Sequence, residues 1–267
     1  MKGTIMEETV FSADYDDPVV AELYDMRETY TDDIDLIRKL LGRKKLKVLE
    51  CFSGTGRILL ALVRDGHKMT GYEIAPNMNA RAVIKALKLD DDSIERVKFD
   101  VRDVLEGDWG TGFDAVILGA NAFYELPSAD AQEKCVQYAS EALKKGGHVF
   151  IDNDDYKGDW GKGPFGEETV VFEGTAGDGT YGRWSREGVS FDASTSTSHF
   201  RRKIIKRSPE GEEEVHECTG MKHPVTKAEV ESWLLRHGFG IEQLFGDRKG
   251  NPYTPESERA IFWARKM

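Results

Sequence analysis

The chain's 267 residues are enough for one large domain or two small ones, and 39% hydrophobic with 32% charged residues is an ordinary globular composition. A formal net charge of −11 speaks against the broad phosphate-binding surface that nucleic acid requires and leaves room for neutral or cationic small molecules. No apolar stretch reaches the roughly 18 residues that a membrane span needs. The acidic start MKGTIMEETVFSADYDD has no apolar h-region, and Cys51, Cys135 and Cys218 show neither metal-ligand nor disulfide spacing. The expectation is a cytoplasmic protein without a metal, a membrane partner or a nucleic-acid partner, either monomer or homo-oligomer.

In chain order, residues 19–41 carry apolar residues at helical spacing in their second half, predicting one or two helices within an N-terminal helical cap over 1–45. LKVLECF (46–52) reads as a strand that runs into Ser53-Gly54-Thr55-Gly56, and RILLALVRDG reads as a helix stopped by Gly66. HKMTGYEI (67–74) predicts a second strand, PNMNARAVIKALKL (76–89) a helix and RVKFDV (96–101) a third strand. FDAVILGA (113–120) is apolar throughout, which predicts a fourth strand buried on both faces. SADAQEKCVQYASEALKKGG (128–147) predicts a helix with a glycine stop, and HVFIDND (148–154) a fifth strand.

This alternation predicts an α/β, doubly wound, mostly parallel sheet whose ligand binds beyond the carboxyl ends of the strands. After residue 156 the pattern changes. Residues 157–188 are glycine-rich, and 188–220 predict two long strands around a turn at Ser208-Pro209-Glu210-Gly211. TKAEVESWLLRHGF (226–239) predicts an amphipathic helix opened by the capping-box pair Thr226 and Glu229. GIEQLFGD and RAIFWARK complete a seven-stranded sheet. The expected organisation is the cap, a cofactor-binding domain over 46–156 and 223–267, and an antiparallel β insertion over 157–222 serving as a substrate lid.

A glycine loop between a strand and a helix lets a ligand approach the backbone and the helix N–H groups. A dinucleotide needs a third glycine in G-x-G-x-x-G, and Leu59 stands at that position, which weakens an oxidoreductase reading. An adenosyl sulfonium has no pyrophosphate and does not need that glycine. Glu73, ending the second strand, is placed to accept ribose hydroxyls, and Asp100, ending the third, to accept an adenine amino group.

At these residues the chain resembles class I S-adenosylmethionine-dependent methyltransferases, whose fold is Rossmann-like. Glu50 fits the acidic residue of the family's glycine motif, Gly54 and Gly56 fit its last two glycines, and Phe52 stands where the first is common. The resemblance implies S-adenosyl-L-methionine as cofactor. The surface it implies comprises Glu50, Phe52, Ser53, Gly54 and Gly56, then Glu73, Ile74 and Met78, then Asp100, Val101 and Arg102, then Gly119 and Ala120. Relatives close this site with N-terminal tyrosines and a basic residue, which implies Tyr15, Tyr24, Arg27 and Tyr30 here.

Within that family, ILGANAFYELPS and IDNDDY resemble the glycine and sarcosine N-methyltransferase group. Asn121 matches its substrate-contacting asparagine, and Asp154 stands where that group has an arginine for the substrate carboxylate. Such a change inverts the charge of the anchor and predicts a cationic or hydroxylated small molecule in place of a simple amino acid. Asn121, Tyr124 and Asp154 are the expected catalytic residues, with Tyr156 and His223 as further proton-relay candidates. The function expected is methyl transfer to a small molecule, on nitrogen in preference to oxygen. A non-catalytic adenosyl-ligand binder is the alternative. The stretch Asn121-Ala122-Phe123-Tyr124 differs from the N/D-P-P-Y of nucleic-acid amino-methylating enzymes.

Overall fold

In the computed structural model residues 15–163 and 165–267 are described; the first fourteen residues of the expected cap lie outside the described residues. Short apolar runs form the strands β1 (Lys47–Cys51), β2 (Lys68–Glu73), β3 (Val97–Val101), β4 (Phe113–Leu118) and β5 (Leu143–Asp154). Each is parallel to its neighbours, and β10 (Phe239–Phe245) and β11 (Arg259–Lys266) add two antiparallel strands at one edge. The order is β10-β11-β5-β4-β1-β2-β3, so the chain reverses direction between β1 and β4. Ala115 to Leu118 are fully buried, as the unbroken apolar run predicts for a strand covered on both faces.

The region expected to hold one or two helices holds two, α1 (Pro18–Arg27) and α2 (Asp32–Leu41). Helices α3 (Arg57–Arg64), α4 (Pro76–Ala86), α5 (Asp91–Ile94), α6 (Ala129–Ala142) and α7 (Lys227–Arg236) complete the set. Thr226 and Glu229 form the predicted capping box of α7. The expected helix over 128–147 ends early: Leu143 is extended, and β5 begins there, with the 143–147 segment lengthening the strand across a register shift against β4. Packing against Phe113 decides this conformation over helix propensity.

Leu59 explains how the sheet accommodates α3 without the third glycine. A Cβ on Gly71 of β2 would collide with Leu59 Cδ1 and come within 2.8 Å of Ser53 Oγ. The residue that permits close helix–sheet packing therefore sits on the strand, and a leucine fills the gap from the helix.

The insertion after β5 is antiparallel β as expected, but it holds more strands than the sequence predicted. It is a four-stranded antiparallel sheet of β6 (Glu168–Thr175), β7 (Tyr181–Asp192), β8 (Thr197–Arg207) and β9 (Glu213–Lys222) in sequential order. The stretch 188–220, expected to form two strands, breaks at 193–196, where Ser196 takes a left-handed φ of 54°. The glycine-rich 157–188 segment supplies β6 and most of β7, paired from Glu168 opposite Glu187 to Thr175 opposite Tyr181 with a register shift between Val170 and Phe172. Its glycines and exposed face hid the strand alternation. On the inner face Trp184 and Ile204 pack against Val19, Val20 and Leu23, while Ala21 on α1 packs with Ala75 and Met78 at the start of α4, so α1 lies between this sheet and α4. No helix among the described residues is long and apolar enough to cross a membrane.

Candidate active site

The loop after β1 is strained at the position where the family has a glycine. Phe52 has φ 59°, Gly54 φ 53° and Gly56 φ 80°. A left-handed conformation costs a non-glycine residue on the order of 1–2 kcal/mol, which is why glycine is common there. Phe52 keeps the conformation because the Ser53 N–H donates to the Tyr72 carbonyl at 2.9 Å and its ring packs on the core.

Two acids organise this loop. Glu73 accepts from the Gly54 N–H at 2.8 Å and the Ala75 N–H at 2.9 Å, so its carboxylate ties the first glycine loop to the second strand-end. Burial raises its pKa, and these two N–H groups hold it back. The expected ribose acceptor is thus already half used by the backbone, with lone pairs left over. Glu50 is buried, and burial drives its pKa well above the usual carboxylate value, opposed by Arg57. Its Oε2 and the nearby Ser53 Oγ have no hydrogen-bond partner among the described residues. A lone buried carboxylate oxygen is costly unless something cationic meets it.

A Cβ on Gly54 would lie 3.6 Å from Met78 and 3.9 Å from Tyr24, so a side chain there would fill the hollow between them. Tyr15 and Tyr24 stack edge to face at 6.2 Å and pack with Ala75 and Met78, beside this hollow. Asp25 of α1 fastens the arrangement, accepting from Thr55 Oγ1 at 2.6 Å and pairing with Arg81 and Lys85 of α4. The unpartnered Glu50 oxygen, the hollow at Gly54 and the neutral loop backbone fit an adenosyl sulfonium with its ammonium group. S-adenosylmethionine, when bound, supplies an activated methyl group on a positively charged sulfur.

Other expected cofactor residues are spread more widely. Arg27 lies over the Trp184 ring at 5.0 Å, on the insertion side of α1. Tyr30 is held between Arg57 at 4.1 Å and Arg248 at 4.4 Å, and burial pushes its hydroxyl up to about 12 against those two charges. Ile74 and Val101 are exposed, and Arg102 covers the Tyr72 ring. Asp100 lies one residue inside β3 and pairs with exposed Lys98 at 3.3 Å. The acid beyond the strand end, where ligands of such sheets bind, is Asp103, which caps a short 3-10 turn by accepting from the Leu105 N–H at 2.8 Å. Sequence reading passed over it, although its place after the strand was a usable signal.

The acceptor side forms where β4 and β5 end. Gly119 leads into Ala120 (φ 56°) and Asn121 (φ 62°), two successive left-handed residues that turn the chain sharply. Asn121 Nδ2 donates to Asp154 Oδ2 at 2.9 Å, and the Asp154 N–H donates to Asn121 Oδ1 at 2.7 Å. The Tyr124 hydroxyl donates to the Asp154 carbonyl at 2.9 Å, and burial raises its pKa far out of the working range. The three expected catalytic residues therefore meet.

Asp154 is not the free anionic anchor that the sequence suggested. Arg259 Nη1 pairs with its Oδ1, while Arg259 Nη2 reaches Asp152 Oδ1 at 2.6 Å and Asn121 Oδ1 at 3.0 Å. Arg248 takes the other Asp152 oxygen at 2.9 Å. Asp155 is paired with Lys157 and Tyr253. Two arginines thus neutralise Asp152 and Asp154, leaving an Asp154 carboxylate that is 47% exposed but locally compensated. The compensating Arg259 lies on β11, 105 residues away, beyond the reach of any local motif.

Tyr156 and Tyr124 both pack edge-on against Trp160. His223 donates its backbone N–H to the Tyr124 carbonyl at 2.9 Å, but its ring lines a neighbouring cleft of about 590 Å³ with Pro127, His199 and Met221. Of the other aromatics, Trp184 and Trp233 are core, and Tyr181 bonds Glu173 at the insertion's surface.

Comparison with known proteins bears on this geometry. Residues 49–149 match the model of a methyltransferase domain family. A protein of Geobacillus sp. (strain WCH70), named as a methyltransferase, is 23% identical over 230 residues, which are 85% of this chain and 88% of that one. The CcbJ methyltransferase of Streptomyces caelestis shares the fold with a TM-score of 0.73 at 18% identity, covering 97% of this chain and 99% of that one. The sugar N-methyltransferase KedS8 of Streptoalloteichus sp. shares it with a TM-score of 0.70 at 17% identity, covering 98% and 97%.

Proposed function

We propose that this S-adenosylmethionine-dependent methyltransferase transfers its methyl group to an amine nitrogen of a small molecule. The observation that carries the reading is the Asn121–Asp154–Arg259 corner at the ends of β4 and β5. It offers hydrogen-bond acceptors to an amine while Arg259 offsets the carboxylate charge. An uncompensated carboxylate would hold the amine as ammonium and remove its lone pair; the compensated one can orient the amine without that cost. The fold shared with KedS8, described as a sugar N-methyltransferase, supports nitrogen as the acceptor.

The reaction is an in-line displacement. The amine lone pair forms the N–C bond, the C–S bond breaks, its electron pair stays on sulfur, and the product ammonium gives its proton to solvent or to Asp154. The residues contribute alignment and water exclusion, worth up to about 7–11 kcal/mol in the best cases. Asn121, on its strained turn, positions the acceptor, and Tyr124 fixes the β5 backbone beside it. Glu50, Glu73 and the Gly54–Gly56 loop hold the cofactor, with Tyr15 and Tyr24 closing over it.

The test uses labelled S-adenosylmethionine with a panel of small amines and the alcohols matched to them, read by mass for one added methyl and by fragmentation for its position. Label on amine nitrogen alone is expected. Label on the alcohols would overturn nitrogen selectivity, and label on none of the panel would favour a binding protein over an enzyme of this substrate class.

A further inference from the structure

The inner face of the insertion sheet is basic in a protein whose net charge is −11. Lys206, His216 and Lys222 project from β8 and β9 and are matched by acids: Lys206 with Glu22 at 2.7 Å, His216 with Asp17 at 2.6 Å and Lys222 with Glu125 at 2.9 Å. Arg186 on β7 sits directly opposite Arg202 on β8, a like-charge cross-strand pair that opposes sheet formation. Arg202 lies over the Tyr15, Trp184 and Phe200 rings. Arg186 lies over Phe200 at 4.6 Å and Trp160 at 5.7 Å, and its guanidinium makes no hydrogen bond or ion pair among the described residues.

The position of Arg186 matters as much as its solitude. Trp160, beneath it, packs on Tyr124 at 5.3 Å, and Tyr124 bonds the Asp154 carbonyl. On its other side the charged and titratable neighbours are Glu125, Tyr15 and Arg202. Glu125 is already engaged by Lys222 and by the Tyr15 hydroxyl at 3.4 Å. Burial lowers the pKa of Arg186, Arg202 lowers it further, and Glu125 only partly offsets them. A guanidinium in an aromatic bracket, facing a like charge, next to the acceptor corner, has the donor geometry and the charge to receive an anion.

We propose that Arg186 binds an anionic group of the methyl acceptor, a carboxylate or a phosphate, so that the substrate carries a negative charge remote from its reacting amine. The proposal rests on the small-molecule reading above.

The experiment titrates the full chain, saturated with S-adenosylhomocysteine, with sodium phosphate, pyrophosphate and acetate, by calorimetry and by tryptophan fluorescence, since Trp160 touches the site. The expected result is saturable binding of one anion per chain, at least tenfold weaker in Arg186→Gln and unchanged in Arg183→Gln, whose arginine pairs with Glu168 instead. Tighter binding of the phosphates or of acetate names the class. Removing the charge relieves repulsion with Arg202, so the melting temperature should not fall; should Arg186→Gln fold poorly, Arg186→Lys keeps the charge, loses the fork and should retain only part of the affinity. Absence of saturable binding, or equal binding in Arg186→Gln, would overturn the proposal. So would an equal loss of S-adenosylhomocysteine affinity, because the anion would then be the cofactor's own carboxylate. None of these readouts requires methyl transfer, so a barren amine panel would count against the N-methylation reading alone.

Discussion

The two proposed halves of the site, one for the cofactor and one for the methyl acceptor, are built differently. The cofactor half is a continuous loop, Glu50 to Gly56, whose chemistry comes from backbone N–H groups, left-handed turns and two buried acids. The acceptor half is assembled from Asn121 in the turn after β4, Asp154 on β5, Arg259 on β11 and Arg186 on β7, which connect through side chains. The first rests mainly on a local backbone, whereas the second can change its preferred substrate through one charged residue at a time. Tyr30 lies between the halves in the contact network: its ring meets Arg57, next to the loop, at 4.1 Å and Arg248, the partner of Asp152, at 4.4 Å.

The sharpest test of this division is Arg259→Ala. It leaves fully buried Asp152 with Arg248 alone and leaves Asp154 without its cation. Breaking a buried pair costs about 3 kcal/mol or more, which urea unfolding would register. Acceptor turnover should collapse, while S-adenosylhomocysteine affinity changes less than about twofold. An equal loss of both would show that the halves are one unit. The reciprocal change is Gly71→Ala, whose Cβ meets Leu59 and Ser53. Overpacking there should cost about 2 kcal/mol of stability and weaken cofactor binding, with the KM for acceptor nearly unaltered.

Glu50→Gln probes the cofactor half by charge alone. Because burial raises the pKa of Glu50, the folded chain without cofactor keeps a proton that the unfolded chain has lost. The stability this contributes is fully present below the unfolded pKa and is lost as pH rises through the raised folded value. Cofactor-free Glu50→Gln should therefore be more stable than the parent at neutral pH, and its stability should depend less on pH over that window. Cofactor affinity should move the other way, falling by about 1.5 kcal/mol, roughly tenfold, if the unpartnered carboxylate oxygen receives the cofactor's ammonium. Thermal melts across pH, with and without S-adenosylhomocysteine, check both signs; equal melts at every pH would mean that Glu50 keeps the same ionisation in both states.

The same division explains what the sequence could tell. Strand–helix alternation, the glycine loop, Glu73 and the Thr226–Glu229 cap are local patterns, and all were readable. Asn121 was singled out by the resemblance of its G-A-N-A-F stretch to the glycine and sarcosine N-methyltransferase group, and it stands in the turn beyond the end of β4. The neutralisation of Asp154 was not, because Arg259 comes from a strand that returns antiparallel beside β5 only after the insertion. Strands β6 and β7 were missed because glycines such as Gly174 and Gly182 interrupt their alternation; Gly182 is required where Leu23 packs against the strand.

Asp100 tests the limit of reading position from sequence. As the last acid of an apolar run it passed for a strand end, yet β3 continues through Val101 and the Asp100 side chain turns to Lys98. An exposed pair of this kind is worth about 0.2–1 kcal/mol at most. Asp100→Asn should therefore shift stability by less than about 0.5 kcal/mol and leave cofactor affinity within about twofold. Asp103→Asn keeps a side-chain oxygen for the Leu105 N–H, so the turn survives while the charge beyond the strand end is lost. If the ligand reaches that end of the sheet, Asp103→Asn weakens S-adenosylhomocysteine binding more than Asp100→Asn does. The reverse order, measured on both variants by calorimetry, would restore Asp100 to the cofactor half and require β3 to end one residue earlier when the ligand is bound.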